Sequence, residues 1–318
     1  MSSEFELIAR FFTRAARDAV LGVGDDAALL RPRAGAELAV STDMLVAGRH
    51  FLPDADPYLL GHKTLAVNLS DLAAMGAAPR WATLALALPE ADEAWLSSFS
   101  QGLLDLADRF DVDLVGGDTT RGPLNLCVTV LGEVPAGRAL RRDAARPGDD
   151  IWVSGDLGGA ALGLRERLGE LALPAAEAAA CHLRLDAPEP RIALGQALLG
   201  VAHAAIDLSD GLLADLGHIL ARSGVGAELM FEQLPAHPAV SARLDTALAR
   251  RCLLAGGDDY ELCFTAPPER SREVLAAGEA AGVKVSWVGR IGAAGGLRLL
   301  GPDGLEMPVE ARGYDHFA

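Results

Sequence analysis

Residues 38–51 read LAVSTDMLVAGRHF. A short apolar run (Leu38, Ala39, Val40) delivers two hydroxyls and a carboxylate in succession, Ser41, Thr42 and Asp43, with His50 a few positions on. This is the pattern of a strand emptying into hard oxygen ligands, the type that Mg²⁺ selects. The same residues also suit a plain turn or a helix cap. Alone, the stretch leaves both readings open. What decides between them is whether other acidic clusters, placed the same way, could meet this one.

Working outward, PYLLGHKTLAVNLSDLAAMG (57–76) reads as a helix, with Pro57 suited to its first turn and Gly76 to its C-terminal cap. Asp71 lies late in it among small and apolar neighbours. A strand is expected over 81–89. Trp95, Phe99, Leu103, Leu106 and Phe110 then recur at spacings of 4, 4, 3 and 4, an amphipathic helix facing a sheet. VDLVGGDTTRG (112–122) is a strand that opens into Gly116, Gly117 and Asp118, and 124–135 is a further strand. Towards the N-terminus, LGVGDDAALL (21–30) places Asp25 and Asp26 after two glycines, either a cation-binding loop or a β-turn. The first twenty residues predict an amphipathic helix with Phe5, Ile8, Phe12 and Ala15 in its stripe, and do not read as a secretory signal.

Strands alternating with helices define an α/β (α+β) protein with helices packed on a sheet. The polar, locally basic segment 136–150 marks a boundary, giving domains 1–138 and 139–318. The second half begins with a strand and a glycine-rich turn, GDLGGA, which lacks the spacing of a dinucleotide loop. AIDLSDGLLADLGHILA then gives a strand to about 208, a turn holding Asp207, Ser209, Asp210 and Gly211, and a helix from Leu212 that Ser209 or Asp210 would cap. CLLAGGDDYELCF supplies Asp258, Asp259 and Glu261 in a glycine turn.

With 44 acidic and 28 basic residues the net charge is −16, which argues against direct nucleic-acid binding through a basic face. No apolar run approaches the ~20 residues that span a bilayer. The four cysteines, far apart and without a CxxC pair, suit reduced core thiols in a cytoplasmic protein.

Six places share the pattern of apolar run, small residues and carboxylate: Asp25/Asp26, Asp43, Asp71, Asp118, Asp207/Asp210 and Asp258/Asp259. Their convergence on one cleft is more economical than six unrelated turns. Such a concentration of carboxylates repels itself unless cations are present, and Mg²⁺ takes one or two carboxylates plus substrate phosphate oxygens. Phosphoryl transfer, which needs positioning and charge neutralisation above all, suits that composition. No GxxxxGK[ST] and no protein-kinase signature set occur.

GVGDDAAL, STDMLVAGRHF, NLSDLAAMGA, LVGGDTTRG, AIDLSDGL and GGDDYELCF, in this order and spacing, strongly resemble the thiamine-monophosphate kinase family. That family is part of the aminoimidazole-ribonucleotide-synthetase-like superfamily. The resemblance runs from the first helix to the GYDHF tail. It implies a two-domain synthetase-like fold, an N-terminal sheet covered by helices plus a C-terminal α/β sandwich. It also implies ATP-dependent phosphorylation of thiamine monophosphate to the diphosphate, several Mg²⁺ ions and a homodimer. By the same resemblance Asp26, Ser41, Thr42, Asp43, Asp71, Asp118, Asp207 and Asp210 are metal ligands. Gly117, Asp118, Arg142 and Ser209 match nucleotide-contacting positions, and His50, Asp258 and Tyr314 match contacts to the thiamine phosphate. Asp43, Asp118, Asp207 and Arg142 form the expected catalytic set. The family usually carries Glu where this chain has Asp258, whose shorter arm keeps the charge with less reach. Rival readings are another ATP-using enzyme of the superfamily or a catalytically silent nucleotide-binding relative. The first cysteine, Cys127, and the HFA ending lack the cysteines that the selenophosphate-forming and carbamoyl-dehydrating members should carry.

Overall fold

The computed structural model describes residues 3–293 and 295–308, so Tyr314 and the rest of the GYDHF tail lie outside the described residues. Two compact units are present, residues 1–72 with 77–137, and residues 73–76 with 138–318.

The N-terminal unit opens on α1 (Glu4–Leu7), where Ser3 and Glu6 form a reciprocal capping box. It continues as a π-helical turn, Ile8–Phe12, and ends there. The expected twenty-residue helix is therefore corrected. The wider turn shifts the helical phase, so Leu7, Phe11 and Phe12 are buried while Phe5 is 79% exposed. Next come β1 (Ala36–Val46), α2 (Pro57–Ala74), β2 (Ala78–Leu88), α3 (Glu93–Arg109), β3 (Asp113–Arg121) and β4 (Asn125–Pro135). The sheet has the order β1-β4-β2-β3; β2 and β3 run parallel with α3 as the crossover, and the other pairs are antiparallel.

Local chemistry accounts for the helix ends. Pro57 starts α2, and Gly76 at φ +68° turns the chain while the Ala77 amide bonds back to the Leu72 carbonyl at 2.9 Å. The Asp92 carboxylate caps α3 by accepting from the Ala94 and Trp95 amides. Phe99, Leu103 and Leu106 of α3 are buried, and Trp95 stacks on Phe99 with ring centroids 4.9 Å apart. The two helices meet backbone to backbone: a Cβ on Gly61 would lie 2.0 Å from the Phe99 carbonyl oxygen, and one on Gly102 1.9 Å from that of Tyr58. One face of the sheet (Leu84, Leu86, Leu126, Val128, Val130) is buried, whereas Val40 and Met44 on the other face are exposed.

β1 corrects the reading of residues 41–43 as a strand end. The strand runs on to Val46, and Ser41, Thr42 and Asp43 sit mid-strand opposite Val130, Thr129 and Val128 of β4.

The C-terminal unit comprises β5 (Asp150–Ser154), α4 (Gly159–Arg167), α5 (Ala175–Asp186), α6 (Ile192–Ala197), β6 (Ala204–Asp207), α7 (Leu212–Ser223) and β7 (Gly226–Met230). After these follow α8 (Pro238–Ser241), α9 (Ala247–Ala255), β8 (Leu262–Ala266), α10 (Ser271–Ala280), β9 (Val285–Gly292), β10 (Gly296–Leu300) and β11 (Glu306–Met307). Its mixed sheet has the order β11-β10-β7-β9-β5-β8-β6. Leu212, Leu216, Ile219 and Leu220, one apolar stripe of α7, join Ile151, Val153, Ile206 and Cys263 of the sheet in a continuous core. The expected cap of α7 is corrected as well. Gly211 stands at the N-cap without a side-chain bond, and Asp215, one turn inside the helix, reaches back to the turn amides.

Candidate active site

A strand's two-residue period and a helix's three-to-four-residue period build the first cluster. Ser41 and Asp43 of β1 share the face turned to α2, where Asn68 and Asp71 lie three residues apart on one side of the helix. The Ser41 hydroxyl donates to Asp71 Oδ2 at 2.5 Å, and the Asp43 amide donates to Asn68 Oδ1 at 3.0 Å. Asn68 is buried and is itself fixed, its Nδ2 donating to the Thr64 carbonyl at 3.0 Å. Thr42 alternates to the opposite face, where its hydroxyl pairs with that of Thr129 at 2.8 Å. The Ser41 side chain is thus brought to Asp71, Asp43 shares its strand face and is tied to the same helix through its backbone amide, and the Thr42 hydroxyl is turned away. His50, in the turn after β1, accepts from the Val46 amide through Nδ1 at 3.0 Å, which leaves the proton of a neutral ring on Nε2.

A cleft of about 680 Å³ in the same unit has Asp25 and Asp26 on one wall and Gly117 and Asp118 of β3 on the other. Gly117 is required by its backbone: at φ +151° its Cβ would stand 1.9 Å from the Leu84 carbonyl oxygen. The strand is irregular just before it, since the β2–β3 register shifts between Ala82 and Thr83. The Asp113 carboxylate ties the two walls together. It starts β3 and accepts from the amides of Arg17 (2.7 Å), Asp18 (2.7 Å) and Ala19 (3.3 Å), and from Arg17 Nε (3.1 Å), at the root of the loop that carries Asp25 and Asp26. Burial pushes this carboxyl up, but these donors outweigh it and hold it below the ordinary range.

In the C-terminal unit, β6 ends at the buried Asp207, and the Ser209–Gly211 turn follows. Asp215 Oδ2 accepts from the Asp210 and Gly211 amides, both at 3.0 Å. Burial drives the Asp215 carboxyl up to about 7, against the lowering effect of the Asp210 amide. The Gly256–Glu261 turn lies directly on this one: the Asp258 amide donates to the Ser209 carbonyl at 2.9 Å and the Tyr260 amide to the Leu208 carbonyl at 2.8 Å. A Cβ on Gly257 would fall 2.4 Å from the Ser209 carbonyl oxygen, so this approach needs glycine. Ser209 and Asp258 are thereby brought together. Arg142 is exposed, and its carbonyl accepts from the Ser223 hydroxyl at 2.9 Å.

The glycine-rich turn before α4 holds a carboxyl group of the chain's own. The Gly158 amide donates to both Asp259 carboxylate oxygens, at 3.0 and 2.9 Å, and Asp259 is buried, which raises its pKa well above the ordinary value. Glu261, fully buried, accepts from the Ser154 hydroxyl, Arg184 and Arg191. Sequence reasoning assigned no role to Asn68, Asp113, Asp215, Arg184 or Arg191. For Asn68 and Asp215 a local signal existed, since each lies within one helical turn of a residue already singled out. For the other three none did, because their partners are 70 to 96 positions away.

Among the described residues, no three Asp, Glu, His or Cys side chains stand together as a ready-made metal cage. Ser41 and Asp71, which do meet, and Asp43, on the same strand face as Ser41, offer only oxygen donors. They suit a small hard dication that keeps waters and substrate oxygens in its shell.

Residues 24–134 match the family model "AIR synthase related protein, N-terminal domain" and residues 146–301 the corresponding C-terminal domain. The chain is therefore of the AIR-synthase-related class. The chain is 50% identical to the thiamine-monophosphate kinase of Escherichia coli over 99% of its own length and 98% of the relative's. The crystal structure of thiamine-monophosphate kinase from Stenotrophomonas maltophilia is 49% identical, with a TM-score of 0.85 over 95% of both chains. AaThiL complexed with AMPPCP and TMP is 32% identical, with a TM-score of 0.79 over 93% of this chain and 92% of that one. The chain belongs to the thiamine-monophosphate kinase family.

Proposed function

We propose that the protein transfers the γ-phosphoryl group of ATP to the phosphate of thiamine monophosphate, giving thiamine diphosphate and ADP. One observation carries this reading: a relative solved with AMPPCP and TMP has the same fold over 93% of the chain. In the reaction an oxygen of the acceptor phosphate bonds to the γ-phosphorus as the β,γ-bridging bond breaks, in line, and ADP leaves with the electron pair. The acceptor has a second pKa near ~6, so it is largely a dianion at neutral pH and needs no general base.

The assignments to individual residues are part of the proposal. Asp26, Ser41, Asp43, Asp71, Asp118, Asp207 and Asp210 would hold Mg²⁺; Thr42, whose hydroxyl turns to the opposite sheet face and pairs with Thr129, is left out of the set. When bound, Mg²⁺ supplies charge neutralisation to the phosphate oxygens. Gly117 allows β3 to pass close to Leu84 and presents Asp118, and Ser209 and Arg142 face the nucleotide. His50 offers Nε2–H to the acceptor phosphate, and Asp258 and Tyr314 serve the thiamine phosphate. The four cysteines are unpaired, in keeping with a reducing cytoplasm, and no helix among the described residues is long and apolar enough to cross a membrane. The exposed sheet face with Val40 and Met44 supports a homodimer, since apolar side chains there gain from burial against a second copy.

The test is to incubate the protein with Mg-ATP and either thiamine or thiamine monophosphate and to separate the products. Thiamine diphosphate from the monophosphate is expected. Product from free thiamine only, or none from either acceptor, would overturn the reading.

A further inference from the structure

The turn Asp258-Asp259-Tyr260-Glu261 alternates between two environments. Asp258 and Tyr260 are half-buried and adopt φ +66° and +49°, a left-handed backbone that side-chain-bearing residues rarely hold. Asp259 and Glu261 point inward and are buried. Such φ values persist where the surroundings over-determine them. Here both inward carboxylates do so. Asp259 is fixed on the Gly158 amide. Glu261 accepts from Ser154 Oγ at 2.6 Å, Arg184 Nη2 at 2.6 Å, Arg191 Nε at 2.6 Å and Arg191 Nη2 at 2.5 Å.

These donors come from three separate segments: the end of β5, the end of α5 and the start of α6. Arg184 also donates to the Asp156 carbonyl at 3.2 Å, which ties the glycine-rich turn to the same carboxylate. The space is shaped around the ion cluster, since a Cβ on Gly155 would lie 2.1 Å from Glu261 Oε1. From Glu261 the constraint passes on along the backbone: its carbonyl accepts from the Leu208 amide at 2.8 Å, and the Tyr260 amide returns to the Leu208 carbonyl. The Tyr260 hydroxyl donates to Asp258 Oδ1 at 3.4 Å. Well-packed apolar residues would stabilise this region as well as a buried ion cluster or better, so what the cluster adds is a fixed conformation.

We infer that the Arg184–Glu261–Arg191 cluster is a positioning device, which sets the Asp258–Tyr260 turn against Ser209 and so fixes how the phosphorylated acceptor is recognised. This rests on the proposed reading of Asp258 as an acceptor contact. Arg191 is the member to change. Its planar fork makes two of the four bonds to Glu261, and lysine keeps the charge without the fork.

Arg191→Met and Arg191→Lys are compared with the wild type by steady-state kinetics, varying thiamine monophosphate and Mg-ATP in turn. Misplacing the turn raises KM for the monophosphate about tenfold in Arg191→Met and by less in Arg191→Lys, while KM for Mg-ATP stays within about twofold. A purely structural role would lower the active fraction, and with it kcat alone, leaving both KM values unchanged. That result, or no change at all, would overturn the inference. If Arg191→Met does not fold, Arg191→Lys decides by the same split. Amide hydrogen exchange on the ligand-free proteins reads the device without turnover: faster exchange confined to 256–261 and 208–211 is expected in the variants, and unchanged exchange there contradicts it. Wild-type protein inert towards the monophosphate would defeat the proposed function, and the exchange measurement would still judge the positioning role.

Discussion

Asp113 gathers four donors from the chain almost a hundred positions before it, and its effects follow from simple electrostatics. Asp113→Asn leaves the Arg17, Asp18 and Ala19 amides with a weaker, uncharged acceptor and is expected to cost about 1–3 kcal/mol of stability. Its pKa is held below the unfolded value of about 3.9, so the stabilisation is complete above that pH and fades as pH falls through the folded value. In urea titrations the deficit of the variant should be full at pH 7 and shrink towards pH 3. A deficit independent of pH would show that the charge does not matter. At Asp43 and Asp118 the expectation is chemical: Asn at either position should lower turnover at least about a hundredfold with the circular dichroism spectrum unchanged. Wild-type turnover would make these acids structural. Asp43 and Asp118 were legible because each follows an apolar run within a few residues. Asp113 was not, since its role is created by a partner segment brought up by the fold.

Among the elements, α3 and the β6–α7 unit could be read from their period and their punctuation, because each buries one stripe and its ends carry local signals. β1 could not be read to its end. Polar Ser41, Thr42 and Asp43 resemble a turn, yet β4 pairs with the strand through Val46 and overrides local composition. The first helix failed for a related reason, since a π-turn moves the buried stripe out of the expected phase. The β2–β3 contact offers a test at this scale. Gly117→Ala combines a positive φ with a Cβ 1.9 Å from the Leu84 carbonyl oxygen, whereas a Cβ on Gly116 meets only Thr83 Cγ2 at 3.9 Å. Gly117→Ala should therefore destabilise by about 2 kcal/mol, seen as a Tm fall of roughly 4–8 °C, with Gly116→Ala nearly neutral. Equal effects from the two would mean that β3 is free to shift.

For the whole molecule, the sequence carried the mixed α/β class through its alternation of elements, and the second sheet only through the family resemblance. It could not reveal which sheet face stays open, since that depends on where α2 and α3 pack. Val40 is 58% and Met44 53% exposed, so aspartate at both positions costs the single chain little. In a dimer closed over this face the same charges would be buried and repelled, and sedimentation should find the double variant monomeric. A double variant that sediments like the wild type would place any self-association elsewhere. The central claim is direct transfer between two phosphates. It is tested most directly by supplying ATP labelled in its γ-phosphate together with thiamine monophosphate and following the label. The label should appear in thiamine diphosphate in step with ADP, without free labelled phosphate. Labelled inorganic phosphate released with ADP, and no labelled thiamine diphosphate, would contradict the account.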